Sequence, residues 1–277
     1  MANWFITGVS TGLGKALGTA ALARGDTVFG SVRKAGDAET FTALAPGRAH
    51  GVVVDLRDTA SLTEAIAKAD IACGGLDILV NNAGYGVVGA VEETSLDEAR
   101  ALFEVNVFGA LAAIQGVLPF MRARRRGRII NVTSVSGLAT WNGTGLYCAS
   151  KHALEAIGET LAQEVAELGI HVTNVAPGGM RTDYAGRSLV QTAKVIDDYE
   201  GAGHAARRIM AEHAGHEPGD PARMAAAILK LADMEAPPMH LLLGADALKY
   251  ATYKLEALGK DIADWRELTC STDFPAE

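Results

Sequence analysis

The chain has 277 residues, 49% hydrophobic and 6% aromatic, which is enough apolar material for a sizeable globular core. Its net charge of −8, from 25 basic and 33 acidic residues, disfavours general binding to nucleic acid. No apolar run approaches the roughly 18 residues that a membrane span needs, so no membrane span is predicted.

The cysteines and the first residues indicate the compartment. Cys73, Cys148 and Cys270 are far apart and form no Cys-x-x-Cys pair. This usage is typical of reduced thiols rather than of a disulfide framework or a zinc site. The short apolar run at the start has no basic segment before it, so a secretory signal is not expected. These features predict a cytoplasmic protein, and the histidine pattern predicts no bound metal.

Short β-branched runs alternate with helical patterns over about the first 180 residues. The predicted strands are Trp4–Thr7, Thr27–Val32, Gly51–Val54, Asp77–Val80, Arg128–Thr133 and His171–Val175. The predicted helices are Gly12–Arg24, Thr59–Ala72, Leu96–Met121 and Leu146–Leu168. Apolar strands separated by helices indicate a parallel sheet with helices on both faces. We therefore predict a Rossmann-type, doubly wound α/β fold, which binds its ligands at the carboxyl ends of the strands.

The alternation of predicted strands and helices ends after Pro177. Residues from about 182 to 217 are rich in Ala, Gly, His and charge and show no strand pattern, which predicts a mobile lid or a disordered insertion. A helix is predicted from Pro221 to about Ala232, a strand over Met239–Leu243, and an amphipathic helix within a C-terminal extension of about 246–277. No repeat or linker indicates a second domain, so residues 1–277 are expected to form a single domain.

A glycine-rich turn joins the first strand to the first helix. The stretch TGVSTGLG covers Thr7–Gly14 and has glycines at positions 8, 12 and 14. Such glycines let the backbone turn sharply and approach a diphosphate, whose charge is stabilised by the helix N-terminus. The strand, turn and helix context predicts a dinucleotide site.

Tyr147 and Lys151 stand four positions apart in YCASK, and so on one face of the predicted helix. The lysine ammonium favours the phenolate and is expected to bring the pKa of Tyr147 towards neutrality. A tyrosine tuned in this way can give a proton to a carbonyl oxygen or take one from an alcohol.

Four further motifs occur in a fixed order around these two. They are NNAG (Asn81–Gly84), NVFG (Asn106–Gly109), NVTSVSG (Asn131–Gly137) and PGGMRT (Pro177–Thr182). With TGxxxGxG and YxxxK, they make the chain resemble the short-chain dehydrogenase/reductase family from about Asn3 to Thr182. The run around YCASKHALE is most similar to hydroxysteroid and retinol dehydrogenases.

The resemblance implies a catalytic tetrad of Asn106, Ser134, Tyr147 and Lys151. In it Tyr147 is the general acid and base, Lys151 also binds the nicotinamide ribose, Ser134 stabilises the substrate oxygen, and Asn106 loosens its helix and supports a proton relay. The implied cofactor contacts are Gly8, Ser10, Thr11, Gly12, Leu13, Gly14, Asp55, Leu56, Asn82, Ala83, Gly84, Tyr147, Lys151, Pro177, Gly178 and Thr182.

The end of the second strand, FGSVRK, bears on the choice of cofactor. Val32 stands where NAD-dependent relatives carry an acid, and Arg33 after it can hold a 2′-phosphate in a bidentate manner. This predicts a preference for NADP(H), with NAD(H) possible. Thr11 departs from the pattern, because many NADP(H) enzymes of the family carry a basic residue there.

The expected substrate is a small hydrophobic or aromatic ketone, aldehyde or alcohol. Its predicted contacts are Ser134, Trp141, Tyr147 and Tyr184, since the surrounding positions are mostly apolar. The alternatives are an epimerase, a dehydratase, an enoyl reductase with a different Tyr–Lys spacing, or a non-catalytic NADP-sensing regulator, which typically lacks the tyrosine or the lysine. We further expect a homodimer or a homotetramer.

Overall fold

The computed structural model describes residues 1–182, 189–201 and 203–274. Its strands are β1 (Asn3–Thr7), β2 (Thr27–Val32), β3 (Ala49–Val53), β4 (Ile78–Asn81), β5 (Gly86–Val88), β6 (Gly127–Val132), β7 (Ile170–Pro177), β8 (Leu189–Gln191) and β9 (His240–Leu243). Seven of them form one sheet in the order β3-β2-β1-β4-β6-β7-β9, and every neighbouring pair is parallel.

The α-helices among the described residues are α1 (Gly12–Ala23), α2 (Ala35–Thr42), α3 (Thr59–Cys73), α4 (Leu96–Phe103), α5 (Ala110–Arg124), α6 (Gly145–Val165), α7 (Gly203–His213), α8 (Pro221–Asp233), α9 (Ala245–Asp264) and α10 (Arg266–Cys270). Helices α1 and α8 cover one face of the sheet, and α3, α5 and α6 cover the other. Side chains alternate along a strand, so Trp4 and Ile6 of β1 join one core with α1 and α8. Phe5 joins the opposite core with α3, α5 and α6.

The strand order confirms the predicted doubly wound fold. The chain winds outward from β1 in both directions, towards β3 on one side and β9 on the other. The strand order therefore reverses between β1 and β4, and ligands of such folds bind in the crevice at that reversal. Each predicted strand and helix lies within a few residues of its position in the structure.

The predicted lid is more regular than expected. The expectation of no strand between 182 and 217 was wrong, because β8 pairs in parallel with β5 and α7 follows it. A strand of three residues is too short to show alternation, and its partner lies about a hundred positions earlier. Tyr184, predicted to contact the substrate, lies outside the described residues.

One helical stretch, Leu96–Arg124, is long and apolar enough to cross a membrane by length and composition alone. It contains α4, a π-helical turn over Glu104–Gly109, and α5. Of its most apolar window, 56% is buried inside the fold. Burial of this kind is typical of a core helix that packs against a sheet.

Candidate active site

The turn between β1 and α1 requires glycine at positions 8, 12 and 14. Gly8 and Gly12 have φ angles of 75° and 58°, in the left-handed region. A Cβ on Gly14 would lie 2.1 Å from the carbonyl oxygen of Gly8. The side-chain Nδ2 of Asn82 donates to the backbone carbonyls of Thr7 and Gly8 at 2.9 and 3.0 Å. The turn is thus fastened to the end of β4, across the crevice.

The residues around this turn fit a dinucleotide diphosphate. The hydroxyl of Thr11, at the N-cap of α1, makes no capping hydrogen bond, while Ser10 is exposed and Leu13 is buried. A Cβ on Gly12 would lie 3.7 Å from the Thr182 side chain. The first and last motifs of the sequence therefore meet at the positive end of α1, where anions are stabilised.

Basic side chains gather where β2 and β3 end. Val32 is buried and Arg33 after it is exposed. Arg57 binds the Asp55 carboxylate, with Nη2 2.5 Å from Oδ2. Hydrogen bonds from Arg57 lower the pKa of Asp55, and the charge of Arg33 contributes in the same direction. The sequence analysis did not single out Arg57, and the implied cofactor contact of Asp55 stays a prediction.

Lys151 lies deep in the protein, with only 5% of its surface exposed. Its Nζ donates to the carbonyl of Val132 at 3.0 Å and lies 5.9 Å from the centroid of the Tyr147 ring. Burial lowers the pKa of Lys151 to about 8, and the negative charge of Glu155 acts in the opposite direction. The half-buried Tyr147 is one turn earlier on the same helix.

Asn106 stands inside the π-helical turn, so the helix is widened at the position where the resemblance implies it. Its Oδ1 accepts from the amide of Tyr85 at 3.0 Å, and its Nδ2 donates to Ser150 Oγ at 3.1 Å. A Cβ on Gly84 would lie 3.0 Å from Asn106 Oδ1 and 3.6 Å from Lys151 Nζ. The glycine of NNAG thus leaves room beside two residues of the predicted tetrad.

Ser134 is half-buried at the carboxyl end of β6. Its Oγ accepts from the amide of Ser136 at 3.0 Å and caps a short 3₁₀ turn over Val135–Gly137. That turn packs on α6, since a Cβ on Gly137 would lie 3.0 Å from the carbonyl oxygen of Lys151. The segments that carry Ser134 and Lys151 are therefore fixed against each other.

Asp246, in the first turn of α9, supports the segment after β7 that contains the implied cofactor contacts Pro177 and Gly178. Its Oδ2 accepts from the amide of Gly179 at 2.7 Å. A Cβ on Gly178 would lie 2.3 Å from its Oδ1, so any larger residue after Pro177 would have to displace this carboxylate. The sequence analysis missed this role, because the partners are 67 residues apart and no local pattern links them.

Helix α9 also contacts the predicted substrate wall. The half-buried Trp141 meets Tyr250 edge to face, with ring centroids 5.5 Å apart. Aromatic pairs favour this arrangement. Trp141 therefore has a fixed neighbour on an element that the sequence analysis treated only as an extension.

A buried cluster fastens the described part of the lid to the loop after β5. Glu93 is 1% exposed and accepts from the amide of Ile196 at 2.7 Å. Nε2 of His204 lies 2.6 Å from Glu93, and Nδ1 lies 2.8 Å from Glu200. Arg207 Nη2 stands 3.7 Å from Glu93. The sequence analysis overlooked the spacing of four between Glu200 and His204.

The geometry of this cluster requires a charged histidine. A neutral imidazole has a single N–H, so two hydrogen bonds to carboxylates require the imidazolium. Hydrogen bonds to Glu93 and Glu200 accordingly raise the pKa of His204. Burial raises the pKa of Glu93, but hydrogen bonds from His204, Ile196 and Ala90 outweigh it and bring the pKa to about 2.

We expect the lid to resist protease best between about pH 4.5 and 6.5. Because the pKa of His204 is raised, its stabilising effect on the lid is complete below pH 6.5, the ordinary pKa of histidine. This effect is lost as the pH rises through the raised pKa. Because the pKa of Glu93 is lowered, its stabilising effect on the lid is complete above pH 4.5, the ordinary pKa of glutamate. This effect is lost as the pH falls towards 2. Limited proteolysis across this range, normalised to an unfolded peptide, measures the effect.

The control variants separate the cluster from general pH effects. His204→Gln should remove the pH dependence on the alkaline side, because glutamine does not titrate. Glu200→Gln should change it little, since that carboxylate is 65% exposed. A wild-type cleavage rate that is constant from pH 6 to 9 would show that this cluster does not hold the lid.

Among the described residues, Glu155, Glu159 and His240 lie close enough together to hold a metal ion. His240 Nδ1 is 3.3 Å from Glu155 and Nε2 is 3.5 Å from Glu159. Direct contact between the two ring nitrogens and the two carboxylates accounts for the same geometry, because a metal would bind only one of the ring nitrogens.

The chain is similar to known proteins over most of its length. The family model described as short chain dehydrogenase matches residues 3–192. Oxidoreductase BOA17 of Botryotinia fuckeliana (strain B05.10) is 36% identical over 273 residues, which cover 97% of this chain and 98% of that protein. The NADPH-dependent 3-dehydrocapnine reductase of Ornithobacterium rhinotracheale is 36% identical over 189 residues, which cover 66% of this chain and 67% of that protein.

Solved structures superpose on nearly the whole of this chain. A short-chain dehydrogenase from Streptomyces avermitilis superposes with a TM-score of 0.92 at 36% identity, covering 99% of this chain and 100% of its own. ElxO with NADP bound superposes with a TM-score of 0.74 at 25% identity, covering 90% of this chain and 99% of its own. The glycine turn, the Tyr-x-x-x-Lys helix and these matches together show that the chain is an enzyme of the short-chain dehydrogenase/reductase family.

Proposed function

We propose that this protein is an NADP(H)-preferring oxidoreductase that interconverts a hydrophobic or aromatic ketone or aldehyde and its alcohol. The observation that carries the proposal is the meeting of Gly84, Asn106 and Lys151 beside Tyr147, at the edge of the sheet that bears the glycine turn. The nicotinamide cofactor, when bound, supplies or accepts the hydride. The residues of the chain handle the proton and the charge on oxygen.

In the direction of reduction, the Tyr147 hydroxyl donates its proton to the carbonyl oxygen. Ser134 Oγ donates a hydrogen bond to the same oxygen and stabilises its developing charge. The Lys151 ammonium stabilises the remaining phenolate and would hold the ribose hydroxyls of the cofactor. Asn106 holds the backbone of Tyr85 and keeps the helix widened beside the lysine. Oxidation of an alcohol uses the same groups in reverse.

The proposed preference for NADP(H) is supported by the charges at the end of β2. Val32 offers no acceptor to a ribose diol, and the exposed Arg33 follows it. Arg57 adds a second guanidinium at this edge. The relative named as NADPH-dependent and the neighbour with NADP bound point in the same direction.

The cofactor preference can be tested by titration of NADPH and NADH. A charge-assisted contact is worth roughly 1.5–3 kcal/mol, so we expect NADPH to bind at least about tenfold more tightly. Arg33→Ala should weaken NADPH and spare NADH. Val32→Asp should invert the preference, because a carboxylate accepts from the diol and repels the phosphate.

Lys34→Ala is the matched control, since it removes an equally exposed neighbouring charge. A similar loss of NADPH affinity in Lys34→Ala and Arg33→Ala would indicate general attraction by positive charge. A wild-type preference for NADH would refute the proposed role of Arg33.

The apolar substrate class is supported by the wall between Ser134 and Tyr147. Leu138, Ala139 and Trp141 lie there, and no lysine or arginine occurs from 135 to 146. A screen of ketones and alcohols with NADPH and NADP⁺, followed by cofactor absorbance, tests the activity. A protein that binds NADPH tightly but turns over no carbonyl compound in the screen would favour the NADP-sensing alternative.

A further inference from the structure

The end of the chain projects from the body as an arm. We define the C-terminal arm as residues 252–274, which comprise most of α9 and all of α10, and every one of these residues is exposed. Five of its large apolar side chains are 45% to 68% exposed: Leu255, Leu258, Ile262, Trp265 and Leu268. A lone helix of this length is marginally stable in water. The arm therefore lacks the apolar partner surface that its side chains require within the described residues.

The apolar side chains form a single seam. From the base of α9 outward they occur alternately three and four residues apart: Leu248, Ala251, Leu255, Leu258, Ile262 and Trp265. This is the spacing by which two helices pack side by side in a coiled coil. Charged residues stand on either side of the seam, with Lys254 and Asp261 on one flank, seven residues apart.

Two candidate surfaces differ in the charge that they require. An anionic lipid surface favours helices rich in lysine and arginine. Between 246 and 273 the chain carries four basic and six acidic residues, so this segment is net negative. The charge of the arm therefore favours a partner surface that carries both positive and negative side chains. The arm of a second copy is such a surface.

We propose that the C-terminal arm pairs antiparallel with the arm of a second copy of this chain, about a twofold axis between Leu255 and Leu258. In this register Leu255 of each copy packs on Leu258 of the other. The same symmetry places Lys254 opposite Asp261 twice, because equivalent flanks face each other in an antiparallel pair. The two opposite charges therefore become two symmetric ion pairs.

The sizes of the seam residues fit the same register. It sets the exposed Leu248 against Trp265, whereas Ala251 is 4% exposed and packs within its own copy. A parallel pair would instead place Trp265 on Trp265, a layer with too much side-chain volume.

No contact among the described residues of one copy requires a glycine at position 259. An exposed glycine inside a helix costs about 1 kcal/mol relative to alanine, and a Cβ built on Gly259 would meet no atom within 4 Å. In the proposed register Gly259 lies beside the seam, near Thr252 and Lys254 of the second copy. The absence of a side chain at Gly259 leaves room for that flank of the second helix.

Sedimentation of the full-length protein over a range of concentrations tests this pairing without any catalytic readout. Leu255→Glu should raise the dissociation concentration of the pair at least tenfold, because it puts two charges into the seam. Tyr253→Glu is the matched control: Tyr253 is 58% exposed on the opposite side of the helix and should have little effect. An unchanged mass for Leu255→Glu at every concentration would overturn the proposal, as would a wild type that is monomeric throughout.

A charge exchange tests the antiparallel register. Lys254→Glu should weaken pairing by about tenfold, because it sets Glu against Asp twice, and adding Asp261→Lys should restore it. A parallel pair would instead bring Asp261 next to Arg266, so Lys254→Glu would be silent and Asp261→Lys alone disruptive. That second pattern would overturn the antiparallel arrangement.

Discussion

Replacing Tyr147 with phenylalanine is expected to lower turnover by a factor on the order of 10² or more, the usual contribution of a general acid or base. The aromatic ring remains beside Lys151, whose Nζ lies 5.9 Å from its centroid, and only the proton-carrying hydroxyl is lost. Cofactor binding should therefore change little. Steady-state kinetics on the best substrate and a titration of NADPH measure the two quantities separately.

Tyr199→Phe is the control for loss of a tyrosine hydroxyl. That hydroxyl donates to Glu92 at 2.7 Å, away from the tetrad, so the variant should keep nearly normal turnover. Near-normal turnover in Tyr147→Phe would show that the proton comes from another group.

Lys151→Met is expected to have opposite effects on stability and on catalysis. The pKa of Lys151 is about 8 in the folded protein, against an ordinary 10.5, because burial disfavours the ammonium. The difference corresponds to about 3 kcal/mol of destabilisation at neutral pH. Methionine removes this cost, and the lost hydrogen bond to Val132 returns a smaller amount, on the order of 1–3 kcal/mol. The cofactor-free variant should therefore unfold at a higher temperature than the wild type at pH 7.

The sign of the pH dependence follows from the lowered pKa of Lys151. Between pH 8 and 10.5 the unfolded chain binds more protons than the folded one, so the wild type gains stability as the pH rises. The advantage of the methionine variant should shrink over this range. Thermal unfolding at pH 7 and pH 10 measures the difference. A wild type more stable than the variant at pH 7 would contradict the cost of the buried charge.

The same variant should lose turnover by at least about 10²-fold and also lose affinity for NADPH. Both losses follow from one ammonium that stabilises the phenolate and binds the ribose hydroxyls. Lys249→Met, an exposed lysine on α9, controls for the removal of a charge. Normal NADPH affinity in Lys151→Met would remove the ribose role while leaving the effect on Tyr147 intact.

The sequence predicted those parts of the fold that depend on neighbouring residues. The strand Thr27–Val32 has the same bounds in the structure, because its apolar run ends at the basic pair Arg33 and Lys34. The glycine turn and the Tyr-x-x-x-Lys helix are equally local. Their chemistry is contained in segments of five to eight residues, so their presence could be read before the fold was known.

The contacts that were missed join segments that are far apart in sequence. Asp246 reaches Gly179 over 67 residues, and His204 reaches Glu93 over 111. Neither pairing leaves a periodic signal, because each depends on how the ends of β7, β9 and the lid come together. The strands β5 and β8 were missed for the same reason, since each has three residues and is stabilised mainly by the other.

The parallel sheet has a practical consequence for attaching the protein to a support. The exposed Met1 precedes β1 and so lies at the amino edge of the sheet, opposite the glycine turn. Helix α9, in contrast, starts from the carboxyl end of β9, on the side of the site. An immobilised enzyme tethered near Met1 would present the edge with the candidate site to the flowing solution, whereas a tether near residue 274 would pull on the arm and, through Asp246, on the segment around Gly179.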